Sequence, residues 1–166
     1  SDYGVISLPT NHVSNRGVAV VAIGGNALVL DDSHRTVSDQ FLAAKRAMKN
    51  VADIVEDGWT VVLTHGNGPQ VGYILRRSEL ALDELHPVPM DYAGADTQGA
   101  IGYMFQKALR NEFVRREMPH NVITIVTQVR VSADDSAFVT PTKPIGSYMS
   151  QDHARKMADE YGWSIS

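Results

Sequence analysis

Two kinds of apolar pattern alternate along this chain. The first is a short, largely apolar and β-branched run, present at residues 18–23 and again at 60–64. Such runs are typical of strands buried on both faces of a parallel sheet. The second is a recurrence of apolar residues every three or four positions, which predicts one face of an amphipathic helix at Phe41, Ala44, Met48, Val51 and Val55. We expect Ser38 to cap this helix and Gly58 to end it.

The same alternation continues along the chain. Pro69 suits the first turn of a second helix. The inner face of that helix is predicted at Val71, Ile74, Leu75 and Leu82. A longer helical region follows over about residues 91–117. Glycines weaken helix formation, so we expect those in this region to permit close packing against another helix or backbone. They are Gly94, Gly99 and Gly102.

Shorter segments are predicted after the long helix. The Val- and Ile-rich run 121–127 is expected to form a third buried strand, and the alternation over 127–131 a half-exposed strand that leaves the sheet. A further short strand is predicted at 137–139. The last element is a helix over 150–161 that Gly162 closes.

This order of strands and helices is typical of an α/β fold with a parallel sheet and right-handed crossovers. Residues 1–17 show neither helical nor strand periodicity, and we expect them to be a flexible N-terminal lead. An α/β unit is predicted over 18–131. Residues 132–166 are richer in turn-forming residues and are predicted to form a small protruding subdomain.

The composition narrows the function classes. Of the 166 residues, 43% are hydrophobic and 20% are charged, and no stretch approaches the roughly 18 apolar residues of a membrane span. The net charge of −4 argues against a nucleic-acid surface. The chain has no cysteine, and its histidines lack ligand spacing, so we expect no metal site. We find no signal peptide and therefore expect a cytoplasmic protein.

Each of the first two predicted strands runs into a glycine-rich turn that precedes a helix. Glycine lets the backbone approach a ligand closely, and the first N–H groups of a helix remain available to an anion. We predict that the two turns bind a small anion through converging N–H groups and two side-chain amides. The residues are Gly24, Gly25 and Asn26 in the first turn and Gly66, Asn67 and Gly68 in the second. Neither turn has the Walker A or GxGxxG pattern, which gives a nucleotide site here little support.

Two further side chains are candidates for the site. His65 lies beside the second turn, where we expect it to orient the loop through a hydrogen bond, contact with the substrate being the alternative. Lys143 lies between Pro141 and Pro144, whose fixed φ angles stiffen the backbone and aim its ammonium group. From these residues alone, an exposed surface lysine in a proline turn remains open.

Three sequences in the chain carry a family resemblance. Residues 24–28, 64–72 and 141–146 read GGNAL, THGNGPQVG and PTKPIG, and they closely resemble the carbamate kinases of the amino acid kinase family. The resemblance covers about residues 18–165, roughly the first half of a member. It implies a three-layer α/β/α sandwich around a mainly parallel sheet, and a homodimer. It also implies that Lys143 is catalytic and reaches over the carbamoyl phosphate site from the protruding subdomain.

The resemblance further implies the reaction, which is reversible phosphoryl transfer between carbamoyl phosphate and ADP to give ATP and carbamate. Mg²⁺ would bridge the nucleotide phosphates, and the usual setting is arginine, agmatine or purine breakdown. Family members hold the nucleotide on their C-terminal half, so we expect this chain to be inactive alone and to leave an uncovered apolar sheet face. One departure, Ser136 where the family usually has proline, concerns the rigidity of a turn.

Other functions remain open at this point. The chain could be a non-catalytic anion-binding or regulatory domain that retains only the acceptor site. It could also be another amino acid kinase with a larger acceptor, although PTKPIG is the more specific carbamate kinase signal. A third alternative is a carbamoyl phosphate binder that serves a carbamoyltransferase. The segments 91–95 and 98–103 are assigned to packing and to a subunit interface.

Overall fold

A computed structural model describes residues 16–29, 36–143 and 150–162. Most of the predicted N-terminal lead, and residues 144–149 after Lys143, lie outside the described residues. Within them, strands β1 (Gly17–Ile23) and β2 (Trp59–His65) pair in parallel. The helices are α1 (Val37–Glu56), α2 (Gly68–Leu80), α3 (Met90–Arg115) and α4 (Gln151–Tyr161). The predicted parallel α/β arrangement is confirmed.

The N-cap of helix α1 lies two residues before its predicted position. Thr36 is the N-cap, and its hydroxyl accepts from the backbone N–H of Asp39 at 3.2 Å while the Asp39 carboxylate accepts from the Thr36 N–H at 3.0 Å. This reciprocal capping box satisfies two N–H groups at once, which explains why Thr36 takes the place predicted for Ser38. The predicted stop is confirmed, because Gly58 follows the helix with φ of 93° in the left-handed region.

The two strands bury only one face of their sheet. Val21 and Leu63 point to the side that packs on the core, whereas Val18 and Val20 on the opposite side are 62% and 70% exposed. Helices α1 and α3 cover the first side, and no element of the described residues covers the second. The expectation that these strands are buried on both faces is therefore wrong for the described part of the chain, and the expected uncovered apolar face is present.

The core lies between the sheet and the two long helices. Met48 of α1 and Ile101 of α3 are almost fully buried, and Phe105 and Phe113 extend the same cluster along α3. The predicted apolar face of α1 is confirmed, with Phe41 as its less buried end. Burial of a large apolar side chain stabilises a fold by about 2 kcal/mol, so this cluster holds the helices against the strands.

Pro69 lies in the first turn of α2, as predicted. The helix ends at Leu80, so Leu82, which was predicted on its inner face, lies in the following turn. Of the three glycines in α3, Gly102 packs as closely as expected: a Cβ built there would overlap the Thr124 methyl carbon. A Cβ at Gly94 or Gly99 would meet no described atom within 4 Å. Close packing is therefore confirmed only at Gly102.

The run 121–127 is not a strand, and neither is 127–131. Ile123 and Val129 are 77% and 81% exposed, so β-branched composition alone does not make a strand here. A strand needs a partner edge, and this run instead lies along α3, where the Gln98 side chain bonds the Thr127 backbone and Gln106 donates to the Val122 carbonyl at 2.9 Å. The prediction of a third strand is wrong for this structure.

The region after residue 131 contains helical turns. Residues Ser136–Phe138 form a 3-10 helix where a strand was predicted at 137–139, because the Asp135 carboxylate accepts from the Ala137 N–H at 2.8 Å and tightens the turn. Helix α4 agrees with its prediction. Its N-cap is Ser150, and Gly162 closes it with φ of 68°.

Candidate functional site

The two glycine turns lie side by side at one edge of the sheet. In the parallel register, Ile23 is opposite His65, and the Gly66 N–H donates to the Ile23 carbonyl at 2.9 Å. Gly24 therefore leaves β1 next to the point where Gly66 leaves β2. The carboxyl ends of parallel strands are where α/β proteins generally bind ligands.

The first turn enters a short 3-10 helix, Gly25–Leu28, in place of a long helix. The Ala27 N–H donates to the Gly24 carbonyl at 3.0 Å, and Leu28 is 1% exposed, so its side chain anchors the turn in the core. The start of α1 lies further along the chain, where the Thr36 capping box already uses N–H groups. Of the two helix N-termini expected at the site, only that of α2 directly follows a glycine turn.

The second turn leads directly into α2. Asn67 occupies the N-cap position with φ of −144° and ψ of 14°, but its side chain makes no cap hydrogen bond. Pro69 has no N–H, so it contributes no donor of its own to the first turn. The positive end of the α2 dipole therefore faces the turn without a side-chain cap, an arrangement that favours a bound anion.

Two turn glycines leave room for a ligand. Gly24 and Gly68 do not have positive φ angles, and a Cβ at either would meet no described atom within 4 Å. Both residues are exposed. Neither the backbone conformation nor packing within the described part of the chain requires glycine at these two positions. We therefore interpret these glycines as residues that allow a ligand to approach the backbone closely.

The Asn67 side chain reaches across to α3. Its Nδ2 donates to the hydroxyl oxygen of Thr97 at 2.8 Å, and that hydroxyl donates to the Gly94 carbonyl at 2.7 Å. Thr97 is fully buried. This relay fixes the second turn to the first half of α3. Thr97 also lines a cavity of about 280 Å³ between α1, α2 and α3, together with Gln40 and Gln70.

His65 contacts both the second turn and the core. Its Nδ1 lies 3.1 Å from the Gly66 carbonyl oxygen, and its ring meets the edge of Phe105 with centroids 5.9 Å apart. A hydrogen bond to the carbonyl requires the tautomer that carries hydrogen on Nδ1. These contacts support the predicted loop-orienting role, which stays a prediction.

Lys143 is exposed, and within the described residues no hydrogen bond or ion pair joins it to either glycine turn. Its catalytic assignment stays a prediction. The side chain of Asn26 lies outside the described part, as do Pro144 and Gly146. No group of three or more His, Asp or Glu suited to a metal ion occurs among the residues that the structure describes. None of the helices described there has the length and apolarity to cross a membrane.

Sequence reasoning missed Thr97 and Phe105 as neighbours of the second turn. One signal for Thr97 was present: it lies four residues after Ala93 and four before Ile101, both of which are buried on α3. A hydroxyl group on this buried face of the helix needs a hydrogen-bond partner. The sequence did not indicate that Asn67, thirty residues earlier, is that partner.

The chain is similar to carbamate kinases in both sequence and structure. It is 45% identical over 149 residues to the carbamate kinase of Pyrococcus horikoshii, covering 88% of this chain and 47% of that protein. It is 42% identical to the Clostridium perfringens carbamate kinase over 149 residues, which are 88% of this chain and 48% of the relative. The chain thus spans about half the length of the curated relatives it matches.

The structural comparison agrees with this similarity. The structure of carbamate kinase from Giardia lamblia bound to AMP-PNP superimposes with a TM-score of 0.80 at 35% identity, covering 92% of this chain and 48% of the other. No protein-family model matches the chain.

Proposed function

We propose, since this chain belongs to the carbamate kinase family, that it carries the carbamoyl phosphate side of a reversible phosphoryl transfer. In this reaction the bond between the carbamate oxygen and phosphorus breaks, and a terminal phosphate oxygen of ADP forms the new bond to phosphorus. The products are ATP and carbamate. The observation that carries the proposal is the adjacency of the two glycine turns through the Gly66 and Ile23 hydrogen bond.

The chemistry needs positioning and neutralisation of charge. Phosphoryl transfer spreads negative charge over the phosphate oxygens, and the protein lowers the barrier mainly by holding donors where this charge develops. We assign that role to the uncapped start of α2 and to the backbone N–H groups of the two turns other than that of Gly66, which is already bonded to the Ile23 carbonyl. Gly24 and Gly68 leave space for the anion because neither has a side chain.

We propose Lys143 as the cation that approaches the transferring phosphate. Its exposure within the PTKP sequence leaves the ammonium group available, and a lysine supplies a point charge on a flexible stem. The Mg²⁺ implied by the family has no assigned residues here, since the described part of the chain has no suitable cluster of carboxylates or histidines. The family resemblance assigns ADP to the C-terminal half of the relatives.

We also propose a homodimer formed through the exposed side of α3. Tyr92 and Tyr103 are 66% and 63% exposed on this helix, and aromatic residues are enriched at protein interfaces. Sedimentation of the chain, and of a Tyr92→Ser/Tyr103→Ser variant, tests this. A monomer in the wild type would contradict the proposal, and a dimer that the variant retains would place the interface elsewhere.

A fusion protein tests the activity. The 166 residues are joined to the part of the Clostridium perfringens relative that this chain does not match, and ATP formation from ADP, Mg²⁺ and carbamoyl phosphate is measured. We expect the fusion to form ATP. A folded fusion that binds carbamoyl phosphate but forms no ATP would favour the non-catalytic alternative, while the intact relative serves as the active control.

A further inference from the structure

We infer that Thr97 is a positioning residue that sets the orientation of the Asn67 amide in the second glycine turn, an inference that rests on the proposed function of that turn. Thr97 lies on α3, thirty residues from Asn67 along the chain, and it contacts the turn only through this side chain among the hydrogen bonds of the described residues. It does not need to touch the ligand to act.

The direction of the two hydrogen bonds follows from the partners. The Gly94 carbonyl can only accept, and it lies 2.7 Å from the Thr97 hydroxyl oxygen, so it takes the single hydroxyl hydrogen. The oxygen of Thr97 can then only accept from Asn67, which must present its Nδ2 at 2.8 Å. The flipped amide would set Oδ1 against Thr97 Oγ1 with no hydrogen between the two acceptors.

Burial makes this preference strong. Thr97 is 0% exposed, so in this packing its hydroxyl has no solvent contact, and an unsatisfied buried polar group is costly. Asn67 is in the N-cap position, where asparagine normally accepts from N–H groups of its own helix, yet it makes no such bond. The relay thus draws the side chain away from capping α2 and leaves the start of that helix open.

A fixed amide has a consequence for an anionic ligand. An amide that rotates freely presents either its oxygen, which repels an anion, or its nitrogen, which donates to one. The Nδ2 of asparagine carries two hydrogens, and Thr97 uses one of them. We assign the second hydrogen to the bound carbamoyl phosphate. Thr97 therefore raises affinity by removing the unfavourable amide orientation before the ligand arrives.

Side-chain amide signals in the NMR spectrum of the 166-residue chain test the orientation directly. The Asn67 signals are identified by their loss in Asn67→Asp. In the wild type and in Thr97→Ser, which retains the hydroxyl, we expect two well-separated proton signals with slow solvent exchange. In the nearly isosteric Thr97→Val they should move towards the positions of a free amide. Thr97→Ala removes the same hydroxyl with a smaller side chain and replaces Thr97→Val if that variant does not fold.

Titration with carbamoyl phosphate provides the functional readout. We expect Thr97→Val to bind about tenfold more weakly than the wild type and Thr97→Ser to restore the affinity. Unchanged Asn67 signals in a folded Thr97→Val would overturn the inference, as would unchanged affinity. A wild-type chain that fails to bind carbamoyl phosphate overturns the proposed function and the assignment of the second hydrogen, while the amide signals still decide whether Thr97 sets the orientation.

Discussion

The Gly66 N–H donates to the Ile23 carbonyl oxygen at 2.9 Å, so the last residue of β1 and the first residue after β2 are directly bonded. This bond continues the parallel ladder by one step beyond the paired strands. It brings the two glycine turns to one edge of the sheet, although about forty residues separate them in sequence. The candidate anion site depends on this adjacency.

Gly68→Ala should separate folding from binding. A Cβ at Gly68 meets no described atom and the residue lies in a helix, so the variant should be as stable as the wild type or up to about 1 kcal/mol more stable. The added methyl group lies at the start of α2, where we place the anion, and should weaken carbamoyl phosphate binding at least about tenfold. Thermal unfolding and calorimetric titration measure the two effects. Gly99→Ala is the matched control, because it is equally unhindered but lies on α3, outside both turns, and equal affinities of the two variants would contradict the placement.

Local signals account for most of what the sequence predicted correctly. Pro69, Ser150 and Gly162 act within one turn of their own helix, and each agrees with the structure. The cap of α1 was misjudged because Thr36 gains its advantage from a reciprocal bond with Asp39, which outweighs the single cap offered by Ser38.

Non-local partners account for what the sequence could not predict. The run 121–127 has the composition of a strand, but a strand also needs an edge to pair with, and composition does not specify one. The same limit applies to the site. The glycine turns can be recognised as short motifs in the sequence, whereas the hydrogen bond between Asn67 and Thr97 depends on how α3 packs beside α2.

Gly102→Ala should destabilise the chain through Thr124. A Cβ at Gly102 would overlap the Thr124 methyl carbon and lie 3.1 Å from its hydroxyl oxygen, so the segment beside α3 must move. Overpacking of this kind typically costs about 1–3 kcal/mol. Denaturant unfolding should show a lower midpoint than for Gly99→Ala, where the same substitution is unhindered. Thr124→Ala in the same chain should recover part of the loss, and a Gly102→Ala midpoint equal to that of Gly99→Ala would show that the segment does not press on α3.

Glu112 should make stability depend on acid pH. Hydrogen bonds from Arg115 and then Arg116 lower the pKa of its buried carboxyl from 4.5 to about 2. Because the folded-state pKa is depressed, the ionised group stabilises the fold above pH 4.5, and this contribution is lost as the pH falls from 4.5 towards 2. Glu112→Gln should be less stable than the wild type at neutral pH, and the difference should narrow through that window. Denaturant unfolding across these pH values measures it, and a difference that stays constant would contradict the shifted pKa.

Lys143→Ala in the active fusion should lower the turnover number by more than about tenfold, which corresponds to roughly 1.4 kcal/mol of transition-state stabilisation. Lys156→Ala is the control, since Lys156 is also an exposed lysine and makes only a weak ion pair with Glu160 at 3.9 Å on α4. Steady-state kinetics of ATP formation compare the two variants. Equal turnover numbers for the two variants would show that Lys143 is an ordinary surface lysine without a catalytic role.

The most direct measurement is an NMR titration of the ¹⁵N-labelled 166-residue chain with carbamoyl phosphate. If the two turns form one anion site, the backbone amide signals of Gly24, Gly66 and Gly68 shift together and give a single dissociation constant. Titration with acetyl phosphate then shows whether the site selects the carbamoyl group. Signals that stay unchanged at both turns, or that shift only at surface lysines and arginines, would contradict the site.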